Sequence, residues 1–348
     1  MDEVKIIVIR FVFSVLTFLI ISYLSSNGSL ADLTNDLLAT PDEREQRKEA
    51  QLTIDRAKRL FPQLDEEELT THETIVTSSL VLPRAGSGMD QVGGHDKIKR
   101  ELMLHVVVPL KNATTFFNNK ALRPPTGILL SGPSGTGKTM LATALSHESN
   151  VPFMSIKPSM IEQKYFGESE KIVKAIFSLA KKIAPCIIFI DEIDGILKNR
   201  SAEFDQNANY SIKTQMLQEM DALEKENSYV IIIGATNCPT KLDKALYRRL
   251  PRTYTVDVPD EEARKQILTS LLSDEPCKNL EDSLIQDTEG FSGSDLKDMY
   301  KLASSLRNET FSGRFLQSSV PQHVKPPPLT NEHWQQALER MYEARAIR

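Results

Sequence analysis

The fold is decided by the segment Gly132-Pro133-Ser134-Gly135-Thr136-Gly137-Lys138-Thr139. It matches the pattern GxxxxGK[ST], with an apolar run before it and a helical segment after it. The glycines allow backbone N–H groups to surround phosphate oxygens at a helix N-terminus. Lys138 would reach the β- and γ-phosphates, and Thr139 would bind Mg²⁺. The segment therefore predicts a phosphate-binding loop for ATP and Mg²⁺.

Five short apolar runs alternate with helical periodicity around this loop. They are GILLS (127–131), VPFMSI (151–156), CIIFI (186–190), YVIIIGA (229–235) and YTVDV (254–258). Such runs are typical of parallel strands that are buried on both faces. After residue 259 only helical patterns follow. We therefore predict an α/β P-loop NTPase domain over 89–258, with a five-stranded parallel sheet, and a small C-terminal helical domain over 259–348.

Carboxylates follow the third of these runs. Asp191 and Glu192 come directly after CIIFI, where ligands sit in open α/β sheets. Asp191 would hold Mg²⁺, directly or through water, and Glu192 would polarise the attacking water. Asp194 is a third carboxylate, for which a solvated helix N-terminus is at least as good an interpretation as a direct role.

Two further features lie beyond the carboxylates. Asn237 follows the fourth run, and its amide either holds the same water or the γ-phosphate, or lies in a turn before Pro239. Arg248 and Arg249 stand before a proline-containing turn. They are either surface charges or fingers that reach the γ-phosphate of a neighbouring subunit.

The N-terminus carries a predicted transmembrane helix. Residues 6–24 are apolar except for Arg10 and are long enough to cross a bilayer. The alternative is a cleaved signal peptide ending near Ala31. Lys5 and Arg10 favour an N-terminus that lies in the cytosol. Nucleotide chemistry instead requires the domain after the span to lie in the cytosol, and we expect this second orientation. A short tail (1–5) precedes the span, and a helical linker (25–88) follows it, with helices at 41–61 and 66–82.

Composition excludes several classes of protein. The chain has 348 residues, 40% hydrophobic and 26% charged, with a net charge of −5. An acidic balance argues against binding to nucleic acid by bulk positive charge. Three widely spaced cysteines exclude a disulfide-rich secreted scaffold and a zinc ribbon.

Taken together, the motifs resemble the AAA family of ring-forming ATPases over about three quarters of the chain. The matching segments are MDQVGG (89–94), GPSGTGKT (132–139), IIFIDEID (187–194), GATN (234–237), RRLP (248–251) and GFSGSDL (290–296). The resemblance implies a homohexamer in which Asn237 is a sensor and Arg248 and Arg249 act in trans. It also implies contacts with the nucleotide for the residues Asp90, Val92, Gly93, Gly293 and Ser294.

The segment Lys164-Tyr165-Phe166-Gly167 is similar to the first pore loop of that family. The resemblance implies that Tyr165 and Phe166 face a central pore and grip an extended polypeptide. The alternative is a packed surface loop. Residues 200–210 fit a second pore loop, where Phe204 or Asn207 would touch substrate.

Within the AAA family, the chain is similar to the mitochondrial-sorting ATPases of the outer mitochondrial membrane. The shared features are residues 139–142, 147–149, 171–173 and 177–182, and one N-terminal membrane helix with a short linker. The resemblance implies a single-pass protein whose ATPase domain faces the cytosol. It would thread mislocalised tail-anchored proteins out of the mitochondrial outer membrane, and out of the peroxisomal membrane.

Two alternatives remain, of which the second belongs to a different class of protein. A microtubule-severing or filament-disassembling AAA ATPase would share the motor, although such proteins usually carry a separate N-terminal domain and a long basic linker. A membrane-bound adaptor with a non-essential ATPase would not need Lys138, Glu192 or Asn237. ATPase rates with a tail-anchored client and with tubulin would separate these functions.

Overall fold

The computed structural model describes residues 52, 55, 69–81, 88–119, 121–161, 167–196, 206–226, 228–272, 282–313 and 327–346. Within these ranges, none of the helices combines the length and apolarity needed to cross a bilayer. The predicted transmembrane helix (6–24) and the aromatic residues of the first pore loop lie outside the described residues, as does the predicted linker helix at 41–61 except for residues 52 and 55.

Six strands of the described chain form one mixed sheet. Their bounds are β1 (Leu80–Val81), β2 (Gly127–Ser131), β3 (Phe153–Ile156), β4 (Cys186–Ile190), β5 (Val230–Thr236) and β6 (Arg252–Thr255). The order across the sheet is β1-β3-β4-β5-β2-β6. All neighbours pair in parallel except β1, which runs antiparallel to β3.

Among the described residues, helices cover the sheet, and further helices come after its last strand along the chain. Their bounds are α1 (Thr71–Val76), α2 (Asp96–Leu102), α3 (Val108–Lys111), α4 (Ala113–Asn118), α5 (Lys138–Ser149), α6 (Pro158–Ile161), α7 (Glu168–Lys182), α8 (Ile193–Ile196), α9 (Gln206–Lys225), α10 (Lys244–Arg249), α11 (Glu261–Leu271), α12 (Asp282–Asp287), α13 (Gly293–Gly313) and α14 (Asn331–Ala346). Short 3-10 turns lie at 77–79, 89–91 and 239–241, and a π-helical turn lies at 103–107.

The central strands form because they are apolar on both faces. Every residue of β2, β4 and β5 is buried, as the continuous β-branched runs predict. The main core beside the sheet joins these strands to helix α5 and to residues 102–117, and it includes Leu102, Phe117, Leu141 and Phe189. The carboxyl ends of the strands are thereby fixed relative to one another.

The sheet differs from the prediction at its two edges. It has six strands and not five, because Leu80 and Val81 pair with Phe153 and Met154 at the β3 edge. The prediction of a helix over 66–82 is therefore wrong at its C-terminal end, because the observed α-helix ends at Val76. At the opposite edge, the predicted strand 254–258 lies at Arg252–Thr255. Only Tyr254 of β6 is buried, so an apolar run could not locate this strand.

The C-terminal helices have a core of their own. Helices α11, α12, α13 and α14 bury Leu268, Ile285, Phe291, Leu296 and Trp334 together. The four helices thus bury apolar side chains against one another. Buried Arg264 on α11 donates to the carbonyl oxygen of Ile285, which ties α11 to α12.

Helix α1 lies against α7. Glu73 on α1 is only 1% exposed and accepts a 3.0 Å hydrogen bond from Lys182 Nζ near the end of α7. His72 Nε2 lies 2.9 Å from Glu168 Oε2 at the start of α7. A capping box, in which Thr70 and Glu73 exchange hydrogen bonds, begins α1. The segment before the ATPase motifs is therefore attached to the helix that follows the predicted pore loop.

Candidate nucleotide site

The predicted site residues lie where three central strands end. Ser131 at the end of β2 is paired with Thr236 of β5, and Ile190 of β4 is paired with Gly234. The loop after β2 and the carboxylates after β4 therefore meet at one edge of the sheet. This is the position at which open α/β sheets bind ligands.

The loop between β2 and α5 needs glycine for steric reasons. Gly132 has φ +146°, and a Cβ atom there would lie 2.1 Å from the carbonyl oxygen of Val256. Gly135 has φ +79°, and its Cβ would lie 2.7 Å from the hydroxyl of Ser292. Pro133 and Ser134 are exposed, and the Thr136 hydroxyl donates to the Pro133 carbonyl at 3.0 Å. The backbone thus curls into the shape that a phosphate-binding loop requires.

Lys138 is the buried cation of the loop, with 6% of its surface exposed. Its ammonium donates to the carbonyl oxygens of Gly132 and Pro133 at 2.8 and 2.7 Å. Burial lowers the pKa of Lys138, although the charges of Asp191 and Asp194 act in the opposite direction. A phosphate would give this ammonium an anionic partner, so the site fits a nucleotide.

Thr139 and Asp191 lie together at the start of α5. The Thr139 hydroxyl donates to Asp191 Oδ2 at 3.0 Å. Oxygen ligands of this kind, joined by phosphates and water, are those that Mg²⁺ prefers. Among the described residues there is no group of three His, Cys, Asp or Glu side chains that could hold a metal without such help.

Glu192 has an unusual backbone. Its φ is +45°, a left-handed conformation that is costly for a residue with a side chain. Its N–H donates to Asp191 Oδ1 at 3.0 Å, and its side chain is exposed. Glu192 is thereby joined through its backbone to Asp191, which also accepts from Thr139.

Asp194 and Thr236 are a pair that the sequence did not reveal. Asp194 is buried, and its Oδ1 accepts a 2.8 Å hydrogen bond from the Thr236 hydroxyl. The same hydroxyl accepts from the backbone N–H of Cys238 at 3.0 Å. Asp194 is therefore not at a solvated helix end. It fixes the turn that carries Asn237, whose side chain is exposed.

The segment that precedes α2 lies against α11. Val92 is buried and Asp90 is exposed. A Cβ atom on Gly93 would lie 2.5 Å from Ile267 Cγ1, so the backbone packs closely on α11. His95, which sequence reasoning missed, has φ +59° and contacts the backbone of Thr136. Burial, aided by the charge of Lys99, lowers the pKa of the His95 imidazole.

The start of α13 also contacts the phosphate-binding loop. The backbone N–H of Ser294 donates to the carbonyl oxygen of Gly135 at 3.1 Å. A Cβ atom on Gly293 would lie 3.3 Å from that same oxygen. The residues predicted near the nucleotide from GFSGSDL are thus in contact with the loop.

The two adjacent arginines of α10 have different surroundings. Arg248 is exposed. Arg249 makes two hydrogen bonds to the Asp221 carboxylate on α9, at 2.8 and 2.7 Å, and a third to the Ala245 carbonyl. This pairing raises the pKa of Arg249 and lowers that of Asp221. In the single subunit, Arg249 is held by its own chain.

Two residues of the predicted site are not placed. Tyr165 and Phe166 lie outside the described residues. Gly167, directly after them, has φ +86° and precedes the first residue of α7.

Comparisons with known proteins agree on one family. The pattern described as "ATPase family associated with various cellular activities (AAA)" matches residues 128–258. A Danio rerio protein named outer mitochondrial transmembrane helix translocase is 35% identical over 309 residues, which cover 87% of this chain and 83% of that protein. The Homo sapiens protein of that name is 36% identical over 309 residues, with coverage of 87% and 84%. The crystal structure of the FIGL-1 AAA domain in complex with ADP is 27% identical with a TM-score of 0.67, and the match covers 80% of this chain and 91% of that one.

Proposed function

The chain belongs to the AAA ATPase family, and from this membership we propose that it uses ATP to withdraw transmembrane helices from the outer mitochondrial membrane. The observation that carries the proposal is the identity of 35–36% over 309 residues to proteins named for that activity. The proposed substrates are mislocalised tail-anchored proteins. The peroxisomal membrane is a second proposed location.

The proposed hydrolysis uses the chain's own residues for binding and orientation. Lys138 would exchange its two carbonyl acceptors for the β- and γ-phosphates, and Thr139 with Asp191 would hold Mg²⁺. Mg-ATP, when bound, supplies the phosphoryl group and neutralises charge on it. Glu192 would accept a proton from the attacking water, and Asn237 would orient that water. The 3.0 Å hydrogen bonds that Asp191 accepts from the Thr139 hydroxyl and from the Glu192 N–H support the proposal.

Coupling between subunits is proposed to depend on α10. In a homohexamer, Arg248 and Arg249 would point to the γ-phosphate of a neighbouring subunit. Arg249 would first leave Asp221, so the pair inside one subunit and the contact between subunits exclude each other. Exposed Arg248 needs no such exchange.

The proposed pulling element is the loop that contains Tyr165 and Phe166. The proposed order along the chain is a membrane helix (6–24), a linker (25–88), the ATPase domain (89–258) and the small helical domain (259–348). The aromatic rings offer apolar area to any extended polypeptide, so their grip would tolerate many sequences. Helix α7 begins directly after this loop, which supports a mechanical link to the ATPase domain.

The test is a liposome assay with the full-length chain and a tail-anchored client, in which ATP turnover and client release are read together. The wild-type protein is expected to turn over ATP and release the client. Glu192→Gln is expected to bind ATP without either activity. Tyr165→Ala is expected to keep substantial turnover and lose release, because apolar area worth about 1 kcal/mol or more is removed from each engaged subunit. Tyr165→Phe keeps the ring and is the matched control.

Two outcomes would count against the proposal. Normal client release by the double variant Tyr165→Ala, Phe166→Ala would identify these aromatics as packing residues. Wild-type protein that hydrolyses ATP faster with tubulin, and never releases the client, would favour the filament-disassembling alternative.

A further inference from the structure

The last turns of the C-terminal helix α14 contact the start of α13 and the residues just before it. The guanidinium carbon of Arg345 lies 4.1 Å from the ring centroid of Phe291, and Arg345 Nη2 lies 2.7 Å from Asp295 Oδ2. Tyr342 packs edge-on against the same ring, and its hydroxyl donates to the Asp287 carbonyl. Two neighbouring turns of α14 therefore contact residues 287–295.

Asp295 also belongs to the capping box that begins α13, in which Ser292 is the N-cap residue. Its Oδ2 accepts hydrogen bonds of 2.8 Å from both the backbone N–H and the hydroxyl of Ser292. The Ser292 hydroxyl in turn accepts from the backbone N–H of Asp295 at 3.3 Å. Burial raises the pKa of Asp295, but the bonds from Ser292 and the charge of Arg345 outweigh it and hold that pKa below its ordinary value. Arg345 thus stabilises the ionised form of Asp295 in this capping box.

This capped turn touches the phosphate-binding loop. Ser294 donates its N–H to the Gly135 carbonyl, and Gly135 packs so closely on Ser292 that a Cβ atom there would clash. The contacts therefore run from Arg345 to Asp295, from Asp295 to Ser292, and from this turn to Gly135. Movement of the turn would change the position of the loop that binds phosphate.

We propose that Arg345 is a positioning residue for the nucleotide: it holds the start of α13 against the phosphate-binding loop, so that the C-terminal end of the chain sets nucleotide affinity. The proposal rests on the nucleotide site described above. Arg345 acts through Asp295 and Phe291 and makes no described contact with the loop itself.

Loss of Arg345 is not expected to detach α14. Trp334, Ala337 and Leu338 are buried in the small helical core, whereas the Arg345 side chain is 37% exposed. Burial of the three apolar side chains is the larger contribution to docking, since an ion pair with such exposure contributes little. The effect of removing Arg345 is therefore local to the turn at 291–295.

The test uses full-length protein in proteoliposomes and two readouts: equilibrium titration with a fluorescent N-methylanthraniloyl ADP, and steady-state ATPase kinetics. Arg345→Ala is expected to weaken ADP binding about fivefold and to raise KM for ATP similarly, with kcat near wild type. Arg345→Lys keeps a cation beside Asp295 and is expected to restore part of the affinity. Arg340→Ala, an exposed arginine on the same helix, is the matched control and is expected to change neither readout.

The double variant Arg345→Ala, Asp295→Asn tests whether Arg345 acts through Asp295. If Arg345 acts through Asp295, the double variant binds ADP no more weakly than the weaker single variant. Additive losses of ADP affinity would show that Arg345 does not act through Asp295. Wild-type ADP affinity in Arg345→Ala, or a fall in kcat with unchanged KM, would overturn the proposal. These results would leave the translocase proposal intact, because wild-type ADP binding and client release are measured separately.

Discussion

Replacement of Glu73 by alanine tests whether the linker helix α1 is firmly attached to the ATPase domain. The substitution removes the acceptor of the Thr70 N–H, at 2.7 Å, and of Lys182 Nζ, at 3.0 Å. Loss of the reciprocal cap costs about 1 kcal/mol. Loss of one partner of a fully buried ion pair costs about 3–5 kcal/mol. Lys182 is 28% exposed and can recover water, so about 1–2 kcal/mol is the better figure here.

The sum, about 2–3 kcal/mol, lowers the equilibrium constant for docking of α1 by about 30- to 150-fold. Amide hydrogen exchange over residues 71–79 measures this directly, since protection there depends on docking. Glu339→Ala, at an exposed glutamate of α14, is the matched control. Exchange in Glu73→Ala that equals exchange in this control would refute the reasoning, because Glu73 would then contribute nothing to docking.

The same residue gives a pH dependence with a definite sign. Burial raises the pKa of Glu73, but hydrogen bonds from Thr70, Ser178 and Lys182 outweigh it and hold the pKa below the ordinary value of 4.5. The stabilisation is therefore fully present above pH 4.5 and is lost as the pH falls through the lower, folded-state pKa. The difference in protection between wild type and Glu73→Gln should shrink in that acidic window.

Two further predictions concern the nucleotide site. Gly132→Ala is expected to abolish measurable ADP binding in a calorimetric titration, because the new Cβ atom would lie 2.1 Å from the Val256 carbonyl oxygen; Ser134→Ala, at an exposed position of the same loop, should bind normally. Mixtures of Arg249→Ala and Lys138→Ala subunits are expected to regain ATPase activity above either parent, because a mixed interface can contain one intact site. A mixture no more active than its parents would contradict fingers that act in trans.

The parts of the fold that the sequence predicted are those in which local pattern and burial agree. The strands β2 and β4 begin and end where their apolar runs do, because every side chain in them is buried. Helix α7 (Glu168–Lys182) follows the helical periodicity of its sequence, because its apolar side chains share one buried face. Such elements depend little on partners that are distant along the chain.

The parts that were missed depend on partners far away in sequence. Val81 is part of a strand only because it pairs with the edge of β3. Asp194 is buried and bonded to Thr236, which lies on strand β5, far along the chain. Arg248 and Arg249 look alike in the sequence, and only the position of Asp221 on α9 distinguishes them. No local pattern encodes these pairings.

The antiparallel strand β1 has a practical consequence for anyone who shortens this chain. It covers the edge of β3, whose unpaired N–H and C=O groups would otherwise be open to a strand from another molecule. A fragment that starts at the first ATPase motif, near residue 89, would leave that edge bare and would be prone to aggregate. A fragment that starts before Thr70 keeps the cap of α1 and the protecting strand. The boundary of a well-behaved soluble fragment is thus set by the sheet edge and not by the ATPase motifs.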